Sequence, residues 1–384
     1  MTPARFDHEA AVAARYSAAA RQREEALCCP TAYDPRYLEV IPQEVLDRDY
    51  GCGDPSAHLR PGERVLDLGS GGGKICFIAA QVVGREGHVV GIDTNQDMLS
   101  LARGAAAAVA ERLGYANVEF LEGRIQDLAS DPAAAAEWLQ RHPVRGPSDV
   151  LAYERFLAAQ RTERPLVPDG SVDVVVSNCV LNLVHPEDKE RLFGEMARVL
   201  RDGGRAVISD IVSDEDAPES IRTDPELWSG CIAGAFREDR FVEAFERAGF
   251  HGSRMLKRDR EPWRTVDGVE FRSVTVEAFK AAPGPCLERL QAVIYRGPFR
   301  EAVDDDGHRF RRGVRTAVCD KTFRRLKAEP YVRDFEFVEP LVVVPPGEAR
   351  PFDCSRDSVR SARETKGEGY AATTNGSCTR PGCC

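Results

Sequence analysis

The chain has 384 residues, 42% hydrophobic and 30% charged, the balance of a soluble globular protein long enough for one large domain and a smaller one. Its net charge of −10 speaks against a nucleic-acid partner, whose binders show a basic face, and no apolar run approaches the ~18–20 residues of a membrane span. The N-terminus lacks the basic-then-apolar layout of a signal peptide, so the expected location is cytoplasmic, where twelve cysteines point to metal binding, redox work or burial rather than a disulfide frame.

Residues 8–29 are rich in Ala, Arg and Glu and read as a helix ending at Cys28-Cys29-Pro30. A loop-rich stretch, "YDPRYLEVIPQEVLDRDYGCGDP", follows. From residue 64 short apolar strands alternate with helices: strands at 64–69, 88–93, 118–123, 172–178 and 205–210, helices at 74–84, 96–114 and 187–201. That alternation implies βαβ units and a mostly parallel sheet with helices on both faces. The segment 124–171 is too long for a simple crossover and carries helices of its own near 131–141 and 147–161, while "EFRSVTVEAFK" (270–280) reads as a closing antiparallel strand. "AAPGPC" (281–286) marks a boundary; "QAVIYRG" and "LVVVPP" read as strands of a small α+β domain, and the chain from about 356 reads as flexible, ending in "SCTRPGCC". The expected organisation is an N-terminal covering segment (1–60), an α/β domain (61–280), a small C-terminal domain (281–355) and a tail (356–384).

"VLDLGSGGGK" joins the first strand to the first helix, where glycines let the backbone turn tightly and approach a ligand. A phosphate-binding P-loop pattern fails because Leu68 and Ile75 occupy its outer positions, and the dinucleotide pattern fails because Lys74 stands where its third glycine belongs. What remains, Asp-x-Gly-x-Gly-x-Gly from Asp67 to Gly73, resembles motif I of the class I S-adenosylmethionine (SAM) methyltransferases. Asp93 closes the second strand 24 residues after Gly69, where a carboxylate suits ribose hydroxyls. Candidate cofactor contacts are Asp67, Gly69, Ser70, Gly71, Asp93, Asn95, Ile125, Asn178 and Tyr50; Asp127 is the expected adenine-edge residue, with Arg124 and Ile125 behind it, and Lys74 is expected to be solvated.

Three thiols flank this site. Cys179 lies one residue past the fourth strand, Cys52 sits in "DYGCGD" ahead of the first, and Cys231 in "WSGCIAGA" after the fifth. Three thiolates on one atom suit a soft, thiophilic centre. Trivalent arsenic takes three sulfurs in a pyramid and keeps a lone pair, whereas an oxygen or nitrogen acceptor would need a general base, and none stands out. Cys76 reads as core, Cys286, Cys319 and Cys354 as structural, and the Asp304–Asp306 run as an acidic turn ahead of Gly307.

"DYGCGDP", "VLDLGSGGGKICFIAAQVVG", "GIDTNQDML", "SNCVLNLV" and "GCIAGAF" together resemble the arsenite methyltransferases, most of all a bacterial branch linked with arsenosugar synthesis whose tail ends in a Cys pair. The resemblance covers about residues 28–280. It implies a class I SAM-dependent methyltransferase fold, S-adenosylmethionine as cofactor, and arsenite or its glutathione conjugate as substrate. It also implies thiol reductants such as glutathione and thioredoxin as partners, and Cys52, Cys179 and Cys231 as arsenic ligands. Cys28 or Cys29 would then be the redox partner of Cys52, and Tyr50 would flank the cofactor. The tail cysteines Cys378, Cys383 and Cys384 read either as arsenic carriers or as a dispensable redox tail. Two other readings stay open: a SAM methyltransferase acting on carbon or oxygen of an organic metabolite, and a non-enzymatic arsenic-sequestering protein.

Overall fold

Runs of β-branched residues build the centre of the first of two units, residues 1–281; the second begins at 282. The computed structural model describes residues 8–27, 31–355, 359–367 and 369–373; Cys28, Cys29, Cys378, Cys383 and Cys384 lie outside them. In the first unit β1 (Arg64–Leu68), β2 (His88–Asp93), β3 (Val118–Glu122), β4 (Val172–Asn178) and β5 (Leu200–Ser213) run parallel. The short β6 (Phe236–Arg237) extends this pairing at the end of β5, and β7 (Phe250–Arg258), β8 (Arg264–Val266) and β9 (Val269–Lys280) add the antiparallel part. The main order is β3-β2-β1-β4-β5-β9-β7, so the chain reverses its direction of strand addition between β1 and β4. Connections diverge there and leave a crevice beyond the carboxyl ends of the strands.

Before the sheet come α1 (His8–Arg21), α2 (Pro35–Leu38) and α3 (Gln43–Asp47). The crossovers carry α4 (Lys74–Val83), α5 (Gln96–Leu113), α6 (Pro132–Arg141), α7 (Pro147–Glu163) and α8 (Lys189–Val199), followed by α9 (Glu219–Arg222), α10 (Pro225–Ser229) and α11 (Glu238–Arg247). Alternation along the strands feeds two cores. Val65, Val174, Val176 and Val207 pack with α4 and α5; Leu66, Leu68, Val175 and Ile208 pack with α8 and α11. No helix among the described residues is long and apolar enough to cross a membrane.

Several elements differ from the sequence reading. The first helix stops at Arg21, eight residues early: Tyr50 Oη donates to Ala19 O (3.0 Å) and Arg48 to Ala20 O (3.1 Å), so side chains from the next segment take its last carbonyls. Strand β5 begins at Leu200, with Gly203 and Gly204 inside it, where the register with β4 shifts. "LVVVPP" is not a strand; Leu341, Val342 and Val343 are exposed.

The second unit holds β10 (Leu287–Glu288), β11 (Ala292–Tyr295), β12 (Glu301–Val303), β13 (Arg309–Arg311), β14 (Arg315–Ala317), α12 (Asp320–Leu326), β15 (Phe335–Val338), β16 (Arg350–Pro351) and α13 (Ala362–Lys366). Its antiparallel sheet β14-β11-β15 packs on Phe323 and Leu326 of α12, β12 and β13 form a hairpin around the acidic turn, and β10 pairs with β16. The chain after 356 was expected to be a flexible tail, yet Arg360 is buried, ion-paired with Glu288 at 2.6 Å, and its N–H donates to Arg315 O.

Phe245 is fully buried on α11 against Phe193, Phe241 and Phe250. Phe245→Ala is expected to destabilise the first unit by about 3–5 kcal/mol, read from the shift of its denaturant midpoint; a loss below about 1 kcal/mol would contradict this packing.

Candidate active site

The glycine loop leaves β1 at Leu68. Gly69 and Gly71 take φ of +73° and +50°, a region that favours glycine, and a Cβ on Gly69 would sit 2.4 Å from Val180. The N–H groups of Gly69 and Ser70 donate to Ile92 O, and that of Gly71 to Asp93 Oδ2 (2.9 Å). Asp93 also accepts from Asn95 N–H (2.8 Å), so one carboxylate links the glycine loop to the start of α5. Burial pushes the Asp93 carboxyl above its ordinary range, opposed by bonds from the backbone of Asn95, Gly71 and Thr94. Asp67 is buried and raised by that burial to about 7, and Cys76 Sγ donates to it at 3.2 Å.

These residues line a cavity of about 310 Å³ that runs from the loop to Cys179. Asp67, Gly69, Ser70, Gly71, Asp93, Asn95, Ile125, Asn178 and Tyr50 all border it. The buried Ser70 Oγ has no hydrogen-bond partner among the described residues, which fits a polar ligand at the loop. Asn95 and Asn178, like Tyr50, Asp67 and Asp93, already hold partners within the protein. Asn95 caps α5 by accepting from Asp97 and Met98 N–H and donates to Ser17 Oγ of α1. Asn178 binds the segment that carries Cys52.

Asp127 does not take the adenine-edge position expected of it. Arg161, Arg191 and Ser130 hold its carboxylate, and Arg124, Ile125 and Gln126 line the cavity instead. Lys74, expected in solvent, is buried: it is ion-paired with Asp49 and lies 3.9 Å above the Tyr33 ring, both supplied by the preceding segment.

At the far end of the cavity stands Cys179, and Cys52 and Cys231 lie in the same buried cluster. Cys52, Cys179 and Cys231 are 1%, 5% and 3% exposed and share one apolar cluster with Ile211, Ile221, Ile232 and Phe271. The sulfurs of Cys52 and Cys179 and a carboxylate oxygen of Asp210 lie within 4.8 Å of one another. Cys231 Sγ points at Cys179 O (3.0 Å), with Tyr16 Oη 3.8 Å away.

Each thiol has its own tether. Asn178 Oδ1 accepts from the N–H groups of Cys52 and Gly53 (both 3.0 Å), its Nδ2 donates to Gly53 O (2.8 Å), and Ser273 Oγ donates to Cys52 O (2.7 Å). Cys179 N–H donates to Ser209 O. Asn182 Nδ2 reaches Cys231 O (3.2 Å), Ile211 O and Asp210 Oδ1 (2.8 Å). Cys179 and Cys231 sit at φ of +65° and +61°, two of four non-glycine residues in that region among those described.

The sequence reading missed Tyr16, Asp210, Asn182 and Ser273. Tyr16 lies on α1, whose Glu9, Val12 and Ala13 also face the cavity. Burial, reinforced by Cys231 and Cys179, pushes its phenol well above the ordinary value. Asp210 is buried near the carboxyl end of β5 and raised to about 6 by that burial, against bonds from Ile211 N–H and the charge of Lys189.

A family described as a methyltransferase domain matches residues 59–137 and 154–249, and one described as a domain of unknown function matches 282–370. The chain is similar to an arsenite methyltransferase of Aquipseudomonas alcaligenes, 33% identical over 81% of this chain and 84% of the relative. It is also similar to one of Homo sapiens, 30% identical over 78% of this chain and 73% of the relative. A solved structure, an arsenic(III) S-adenosylmethionine methyltransferase from Chlamydomonas reinhardtii, matches with a TM-score of 0.54 and 27% identity, covering 85% of this chain and all of that one.

Asn178→Ala removes the bonds that seat residues 52 and 53. Alkylation of Cys52, followed by mass spectrometry, is expected to speed up at least about tenfold, with a loss of roughly 2–3 kcal/mol in stability. An unchanged rate would show that other contacts hold the segment.

Proposed function

The chain belongs to the arsenite methyltransferases, SAM-dependent enzymes, and we propose that Cys52, Cys179 and Cys231 are the thiols that hold trivalent arsenic for methylation. The observation that carries this is the buried cluster itself: Cys52, Cys179 and Cys231, from three distant stretches of chain, share one apolar cluster, and Cys179 lines the cavity that begins at the glycine loop.

Gly69, Ser70, Gly71, Asp93, Ile125 and Tyr50 are the residues that would hold SAM. When bound, SAM supplies a methyl group made electrophilic by its sulfonium charge. Asp93 is placed to accept from a ribose, and the open Ser70 hydroxyl to bond a polar edge. On the substrate side the three thiols exchange for the three hydroxyls of arsenite. Three As–S bonds form, and the thiol protons leave with the hydroxyls as three waters. Arsenic so held keeps its lone pair on the side away from the sulfurs, and that pair is the nucleophile. No residue has to remove a proton from the acceptor during transfer. The chain's contribution is positioning and exclusion of water: Ile211, Ile221, Ile232 and Phe271 keep the cluster dry, and α1 covers the cavity with Val12, Ala13 and Tyr16.

Methylation takes arsenic formally to the pentavalent state. A fourth thiolate attacking an arsenic-bound sulfur leaves with it as a disulfide and returns an electron pair to arsenic, restoring the trivalent state. Cys28 or Cys29, outside the described residues, is the candidate for that thiolate. Glutathione or thioredoxin would reduce the resulting disulfide by exchange, which suits a cytoplasmic enzyme of arsenic detoxification.

Cys179→Ser is expected to lower arsenite methylation at least about 100-fold, followed by chromatographic arsenic speciation, while calorimetric SAM affinity changes little. Methylation at the wild-type rate would end the three-thiol reading. Asp93→Ala is expected to do the reverse, raising the SAM dissociation constant about tenfold or more while arsenite still protects Cys52, Cys179 and Cys231 from alkylation. Unchanged SAM affinity would remove Asp93 from the cofactor site.

A further inference from the structure

The second unit carries thiols that the methylation chemistry does not use. Cys286 precedes β10, Cys354 follows β16, and Cys319 stands immediately before α12. They are 33 or more residues apart in the chain and read from sequence as structural. The fold gathers them: all three sulfurs lie within 4.8 Å of one another.

Each position has a backbone cause. Pairing of Leu287 with Pro351 lays the two chain segments side by side, and Phe352 N–H donates to Cys286 O (2.9 Å), which brings Cys286 and Cys354 together. Cys319 Sγ is aimed at them while accepting from Thr322 N–H (3.4 Å). Ala317 and Phe352 pack around the sulfurs, and no disulfide joins them. Cys319 is buried, whereas Cys286 and Cys354 are half-buried. A cavity of about 210 Å³, lined by His308, Phe310, Thr322 and Phe352, borders Cys319 and Cys354. The cluster is therefore open to a small solute on one side and fixed by the fold on the other.

Sulfurs bonded to one centre at about 2.3 Å stand roughly 3.3–3.8 Å apart, the shorter distance for a pyramid and the longer for a tetrahedron. Sulfurs already within 4.8 Å need to close up by about 1–1.5 Å at most to meet one. We propose that Cys286, Cys319 and Cys354 form a second thiol site that binds trivalent arsenic, distinct from the thiols of the methylation site. Binding exchanges three arsenic hydroxyls for three sulfurs and releases three waters, with no change of oxidation state. Three sulfurs complete the pyramid of trivalent arsenic, whereas a structural zinc takes four ligands. The choice of arsenic over zinc rests on the proposed function; the clustering of thiols does not.

Two measurements test this on the full chain. In the reduced, unsubstituted protein, arsenite beyond the first equivalent is expected to slow alkylation of Cys286 and Cys354 at least tenfold. Equal rates with and without arsenite would overturn the site. In a variant with Cys28, Cys29, Cys52, Cys179, Cys231, Cys378, Cys383 and Cys384 changed to Ser, which cannot methylate, one arsenic per chain is expected to survive desalting. X-ray absorption should show three sulfur neighbours, and adding Cys319→Ser should cut retention to less than one-tenth. Circular dichroism and SAM binding confirm that both proteins are folded. Retention of zinc in preference to arsenic, two sulfur neighbours, or retention unaffected by Cys319→Ser would each overturn the proposal. Because the variant lacks the methylation thiols, its result is independent of the methylation reading.

Discussion

The amide of Asn178 holds Cys52 from one side of Cys179, and the amide of Asn182 holds Cys231 from the other. The stretch Asn178–Asn182 at the end of the central strand is therefore a junction at which three remote segments meet. Asn178 uses its full capacity: Oδ1 accepts two N–H groups, and Nδ2 donates to Gly53 O and Tyr33 Oη. A buried amide satisfied in this way is costly to disturb, since removing any partner strands a polar atom away from water. The glycine at 51 belongs to the same constraint, because a Cβ there would lie 2.1 Å from Asn178 Nδ2. The thiol geometry thus follows from amide hydrogen bonding at one strand end, and the sulfurs are carried to their places by their backbones.

Backbone strain has collected at the same point. Left-handed conformation costs a residue with a Cβ about 1–2 kcal/mol, yet Cys179 and Cys231 both adopt it. Glycine would relieve the strain and lose the sulfur. The conformations persist because Cys179 N–H bonds Ser209 O, Cys231 N–H bonds Trp228 O, and Asn182 takes the Cys231 carbonyl. Turning the chain sharply at these residues brings Cys179 to the cavity beside Cys52 and aims Cys231 Sγ at Cys179 O.

How much of this could be read beforehand follows from the range of the interactions. The parallel sheet was legible because β-branched runs and glycine stops are local signals, and β1 through β4 fall within a residue of the ranges read from sequence. The end of α1 was not, because the groups that end it, Tyr50 and Arg48, lie some thirty residues away. Asp127 looked like a ligand contact by position, but arginines on two later helices claim it. Asp210 was hidden inside an apolar strand pattern, and Cys286, Cys319 and Cys354 gave no spacing signal because separate pairings bring them together. Tyr16 lay in an alanine-rich helix whose facing surface only the tertiary structure defines.

Burial of Cys52, Cys179 and Cys231 raises the question of how a solute reaches them, and the energetics of the surrounding elements rank the routes. The sheet side is closed by fully buried side chains such as Ile211 and Phe271, whose exposure costs about 1.5–3 kcal/mol each. Helix α1 buries only Ala19 and Ala20 fully. It is attached by ion pairs of Arg21 with Asp97 and of Glu9 with Arg124, by hydrogen bonds of Arg15 to Ser229 Oγ and Glu226 O and of Asn95 to Ser17 Oγ, and by Tyr50 and Arg48 at its last carbonyls. The exposed ion pairs contribute about 0–1 kcal/mol each, and water replaces them readily. Displacing α1 therefore costs less than opening the sheet side. Val12 and Ala13, which face the ligand space with Tyr16, leave little apolar surface to be exposed when the helix moves.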